Sequence, residues 1–206
     1  MTLRTLHGFS ASLIAVFLAI HLTNHLVGLG GFEAHVAFMR AARSFYRFPP
    51  VECLLLVAVA FQIGSGLTFV IRGWKRRRGW VPWLQAGSGL YLALFLLNHV
   101  RAVMMARWMS GLDTNIYFAA AGFHVPPYAW FFAPYYFLAI LALFAHVGCA
   151  LYWWSGKRQA TLRNAVLTSM LALGALIAAL VVSMLWGKLY PVRIPSAYTA
   201  DYRHLP

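Results

Sequence analysis

Five unbroken apolar runs, each about as long as a helix needs to cross a lipid bilayer, decide what this chain can fold into. They cover roughly residues 9–30, 51–71, 82–105, 129–154 and 165–186. Some 30 Å of hydrocarbon is spanned by about 20 apolar residues in a helix. A closed barrel is the other structure that satisfies its backbone in lipid, but its strands would read as short alternating segments. The sequence therefore predicts an all-α, polytopic membrane helix bundle of about five transmembrane helices. Composition agrees: 62% of residues are hydrophobic and 10% charged, against roughly a quarter charged in a soluble domain.

The first run follows Arg4, as a secretory signal would. It carries His21, Asn24 and His25 with no small-residue cleavage pattern after them, so it reads as a retained helix. Cys53 and Cys149 fall on different spans, which offers neither a disulfide framework nor a CxxC metal site. No internal repeat emerges. The expected organisation is one bundle over 1–187 and an extended, external tail over 188–206.

A net charge of +13 would suggest nucleic acid in a soluble protein. Here the cations sit between spans: Arg72, Lys75, Arg76, Arg77 and Arg78 in one connection, Lys157, Arg158 and Arg163 in another. Positive residues flank spans on the cytoplasmic side, so no nucleic-acid partner is expected, the N-terminus is cytoplasmic and the C-terminus external. The same clusters suit anionic lipid and a docked partner. The outer connections, 31–50 and 106–128, are longer. Residues 33–45 read as a short helix lying on the membrane, with Arg40 and Arg43 toward water.

Ionisable residues inside spans are rare and usually functional. This chain has four such histidines, His21, His25, His99 and His146, and only four acidic residues, none in the middle of a span. A relay of paired carboxylates is therefore unavailable. No serine, cysteine or glutamate stands near a histidine at a nucleophile or zinc-ligand spacing, which argues against hydrolysis. Neutral imidazoles between apolar helices suit haem iron, which takes axial histidines from helices on opposite sides of the macrocycle. Such a pair must share one depth. His21 lies about nine residues from the outer end of its span and His99 about eight, at about 1.5 Å per residue. His146 lies about nine from the inner end of the fourth span, where the matching residue of the second span is Gln62.

Each histidine also has a plainer reading, a hydrogen bond to a neighbouring carbonyl or hydroxyl. His25, one turn above His21, either replaces it as ligand or bonds to a quinone or a haem propionate. His7, His35, His124 and His204 lie at or beyond the boundary and invite only the plainer reading. Gly64-Ser65-Gly66 and Gly87-Ser88-Gly89 permit close helix packing and also leave room for a flat macrocycle. Arg101, two residues past His99, either pairs with propionates or snorkels to headgroups.

Several short motifs, in order, resemble one family. Arg4-Thr5-Leu6-His7-Gly8, His21-Leu22-Thr23, Gly31-Phe32-Glu33-Ala34 followed by Phe38 and Ala41-Ala42, Asn98-His99-Val100 and Phe144-Ala145-His146 are similar to the single-chain, five-helix cytochrome b subunit of type B succinate dehydrogenases and fumarate reductases. The resemblance covers roughly residues 3–155. It implies an outer haem b between His21 and His99 and assigns His146 to an inner haem. Gln62 stands where the inner haem's second-span ligand is expected, and an amide is a poor axial ligand. The inner haem is then absent, held by His146 alone, or set by another register of the second span.

The resemblance further implies an electron-transfer subunit, not an enzyme by itself. It would anchor flavoprotein and iron-sulfur subunits at the cytoplasmic face of a bacterial-type inner membrane. Electrons would pass between them and membrane quinone through haem b, one or two per chain, lodged among the first four spans. Glu33, His25 and Arg101 are its quinone-side candidates. Two rivals remain: a stand-alone or accessory b-type cytochrome of another membrane complex, and a haem-free structural anchor.

Overall fold

The computed structural model describes residues 1–156, 158–200 and 202. Among them the regular elements are all helical: α1 (Leu3–Val27), α2 (Phe32–Tyr46), α3 (Pro49–Gly73), α4 (Trp80–Trp108), α5 (Ile116–Ala120), α6 (Ala129–Trp154) and α7 (Ala160–Leu185). Five of these, α1, α3, α4, α6 and α7, are long and apolar enough to cross a membrane. The chain is an integral membrane protein by that criterion. Lys157, His204 and Pro206 lie outside the described residues.

Each helix begins and ends where local chemistry allows. Thr2 caps α1, its side-chain oxygen accepting from the Thr5 N–H at 3.2 Å, which satisfies one of the free donors of the first turn. That cap starts α1 six residues before the first apolar run and brings His7 into the helix. Pro49 and Pro50 open α3, where the missing N–H costs nothing. At its other end Arg77 donates to the carbonyls of Phe69 and Val70 at 3.2 and 2.9 Å and lies near the faces of Trp74 and Trp83. One cation of the basic connection is thus a helix cap, while Arg72, Lys75, Arg76 and Arg78 are exposed.

The spanning helices follow one another around a ring in the order α1, α3, α4, α6, α7, with α7 returning to α1 only near one end. The tightest seam joins α6 and α7. Gly148 of α6 lies against Leu167 and Met170 of α7, and Gly174 of α7 against Phe144 of α6. Small residues let backbones approach where lipid provides no hydrophobic drive. Between α1 and α4, across the ring, side chains pack less. Only 6% of the most apolar stretch of α4 is buried, although it runs between α3 and α6.

At the end where α1 meets α2 the bundle is capped. Phe32, Ile116, Phe123, Val181, Met184 and Leu185 form one buried cluster there. The stretch after α7 is irregular apart from a turn of 3-10 helix at Ser196–Tyr198, and it docks on the cap. Tyr190 donates its hydroxyl to the Gly28 carbonyl, and Asn115 donates to the Tyr198 hydroxyl at 2.9 Å. The helix expected at 33–45 is α2. Glu33 and Arg40 face outward, but Arg43 does not: it binds Asp113 at 2.6 Å and the Thr114 carbonyl at 2.9 Å. A charge that would otherwise snorkel is held by an anion from the facing loop. The opposite, basic end carries the connection after α3.

Candidate functional site

A single stripe on α1 carries His7, Ser10, His21 and Asn24. His7, Ser10, Ile14, Phe17, His21, Asn24 and Gly28 recur at alternating spacings of three and four, and none of them is exposed, whereas Gly8, Phe9, Val16 and Thr23 are. Such spacing keeps side chains on one face of a helix. The stripe faces the interior, so α1 delivers histidines at two levels, about four turns or roughly 20 Å apart.

At the capped end the interior holds four histidines from three helices. The rings of His21 on α1 and His99 on α4 meet edge-on, with centres 6.2 Å apart and planes at 69°. Each is backed by a phenylalanine one turn earlier: Phe17 stacks on His21 at 5.5 Å and Phe95 on His99 at 5.2 Å. Among the described residues neither His21 nor His99 has a hydrogen-bond partner. His25 packs edge-on to His21 at 4.9 Å, and His35 of α2 lies 5.3 Å from His25.

His35 reads as peripheral in the sequence, yet it is 3% exposed. Phe32, His35 and Met39 are the buried residues of α2, which folds back over the end of α1 after Gly31. The φ of 128° at Gly31 lies in a region that glycine enters readily. Both ring nitrogens of His35, Nδ1 of His25 and Oδ1 of Asn24 are buried without a partner. Buried polar atoms are nearly always satisfied, so these atoms hold hydrogen-bonding capacity that the described residues leave unused. Burial, then the charges of His21 and Arg43, hold the His35 pKa down to about 4, which keeps its imidazole neutral.

The remaining outer candidates stand apart from this cluster. Arg101 is exposed and its side chain reaches only the Met105 sulfur, at 3.7 Å; two residues past His99, it points to roughly the opposite side of α4. Glu33 is exposed and lines a surface groove with Val36, Ala37, Arg40 and Tyr117. His124 donates through Nε2–H to the Leu185 carbonyl, 2.9 Å away, which ties it to the end of α7.

At the basic-end level His7 and Gln62 meet, with Nε2 of each 3.0 Å apart. Nδ1 of His7 lies 2.7 Å from the Ser65 hydroxyl, and Ser10 donates to Gln62 Oε1 at 2.5 Å. On the facing helices Nδ1 of His146 donates to the Gln85 carbonyl at 3.1 Å, with the Ser88 hydroxyl at 3.3 Å. His7 and His146 lie within electrostatic reach of each other.

The chemistry of these donors is narrow. No group of three or more His, Cys, Asp and Glu among the described residues is placed to hold a metal ion. Two imidazoles bound at about 2 Å to opposite sides of one metal have ring centres roughly 6 Å apart. The His21 and His99 separation fits that arrangement, and their nitrogens are unengaged. Comparison with known proteins adds nothing to the geometry: no protein family, no curated protein and no solved structure matches the chain.

Proposed function

We propose that this chain is a haem b-carrying membrane anchor and electron-transfer subunit, of the kind found in succinate dehydrogenase and fumarate reductase complexes. The observation that carries the reading is the His21 and His99 pair, two unengaged imidazoles that meet at 6.2 Å from opposite sides of the ring. Haem bound there supplies one-electron chemistry.

The residues of the chain set its conditions. His21 and His99 would hold the haem iron, and Phe17 and Phe95 stack on their rings and orient them. The cap of α2, α5 and the C-terminal segment excludes water. His25, His35 and Asn24 offer buried hydrogen-bonding atoms to oxygens at that end, those of haem propionates or of a quinone. The exposed cations Arg72, Lys75, Arg76 and Arg78 support, through the positive-inside rule, a cytoplasmic basic end, where flavoprotein and iron-sulfur subunits would dock.

One observation favours the second reading, a stand-alone or accessory b-type cytochrome. The level with two unengaged imidazoles lies about four helical turns, roughly 20 Å, beyond His7, far from a partner at the basic end.

Purification of the full chain from membranes tests both. A reducible b-type spectrum that is lost in His99→Ala and in His21→Ala and kept in His25→Ala supports the haem assignment. Co-purifying flavin and iron-sulfur subunits select the anchor, and their absence selects the stand-alone cytochrome. A chain without haem overturns the proposal.

A further inference from the structure

The hydrogen bonds at the basic-end level have a direction. Ser65 donates its hydroxyl to the Phe61 carbonyl at 2.7 Å, so toward His7 its oxygen acts as acceptor. His7 therefore donates through Nδ1–H, and its Nε2 keeps only a lone pair. Gln62 meets that lone pair with an amide N–H, and its other atom, Oε1, accepts from Ser10. The four side chains are joined in one sequence of hydrogen bonds, Ser10 to Gln62, Gln62 to His7 and His7 to Ser65, and the Ser10 hydroxyl, closer to Gln62 Oε1, also has the His7 carbonyl at 3.1 Å. Ser10 and Ser65 are 8% and 4% exposed, and inside a membrane such bonds have little competition from water.

Across the ring, the bond from His146 Nδ1–H to the Gln85 carbonyl fixes the tautomer and leaves Nε2 as the one unengaged imidazole nitrogen at this level. A low-spin haem needs two. The capped-end pair differs in kind: His21 and His99 have no hydrogen-bond partner among the described residues.

We infer that the His7 and His146 level is not a second bis-histidine haem site: Gln62 occupies the lone pair of His7, and the resulting Ser10, Gln62, His7 and Ser65 chain is a structural lock joining α1 to α3. The chain then carries a single six-coordinate haem, at the capped end. The statement about haem number rests on the proposed function; the lock does not.

Two measurements on the full-length chain in detergent separate these parts. Haem per polypeptide by pyridine haemochrome is expected to be one, and unchanged in His146→Ala. A value of two, or a halving in His146→Ala, overturns the inference. Thermal unfolding of His7→Phe, Gln62→Leu and the double variant reads the lock without reference to haem. With the shared hydrogen bond, the double variant loses clearly less thermal midpoint than the sum of the two single losses; additive losses overturn the lock. If no haem is found, the proposed function fails, and the coupling between His7 and Gln62 still decides this inference.

Discussion

The ring of Phe95 lies 5.2 Å from that of His99 and within 14° of its plane, and Phe17 holds the same relation to His21 at 5.5 Å and 21°. Each pair sits one turn apart on its own helix, so each stack is local and the two histidines are oriented independently. Aromatic pairs of this kind contribute about 0.5–1.5 kcal/mol beyond burial. Phe95→Leu, which keeps the apolar volume, is expected to lower stability by about 1 kcal/mol and to speed loss of haem from detergent-solubilised protein. Unchanged haem retention would show that Phe95 does not orient His99.

The seam between α6 and α7 tolerates no added volume at one position. A Cβ on Gly174 would stand 2.5 Å from the Cβ of Phe144, a rigid neighbour. Overpacking costs about 1–3 kcal/mol, and Gly174→Ala is expected to show it as a lower thermal midpoint. Gly87, where a Cβ meets nothing within 4 Å, is the control: Gly87→Ala should change stability by less than about 0.5 kcal/mol.

Arg43 binds Asp113 across the cap, with side chains 14% and 49% exposed. Because the carboxylate is half in water, the pair is worth no more than about 1 kcal/mol. Asp113→Asn should therefore leave the global thermal midpoint nearly unchanged and act locally. Faster hydrogen exchange at the amides of α2, with none in α6 or α7, is the expected result; a uniform increase would deny α2 its separate tether.

Acid should loosen the same cap. The His35 pKa is held at about 4, below its ordinary 6.5. On acidification the unfolded chain takes up its proton first, so stability is full above 6.5 and falls as pH drops from there toward 4. Thermal midpoints across that window should decline in the native chain and decline less in His35→Phe. Equal slopes would place the acid sensitivity on another group.

Hydropathy located all five spans, and equal depth singled out His21 and His99, because both signals are local. His7 escaped because the helix outruns its apolar stretch: Thr2 starts α1 at Leu3, while lipid sets only where the apolar run begins. The three-four spacing of His7, Ser10, Phe17, His21 and Gly28 was nevertheless present in the sequence, as was the twofold occurrence of Phe, three residues, His at Phe17 and Phe95. His35 and Arg43 were beyond local reading. Their partners come from α1 and from the loop at Asp113, 70 residues away, and only the reversal at Gly31 brings α2 over them. The C-terminal segment showed its prolines, which disfavour a long helix, but the docking of Tyr190 and Tyr198 depends on surfaces that exist only in the folded bundle.

The bond from Tyr190 to the Gly28 carbonyl joins residues 162 apart in the chain, and this has a consequence in time. Translation proceeds at about 5–20 residues per second, so the clasp can close only on the order of 10–30 s after Gly28 is made. By the end of that interval α1 and α4 have both been made, while the cover over their histidines still lacks its last piece.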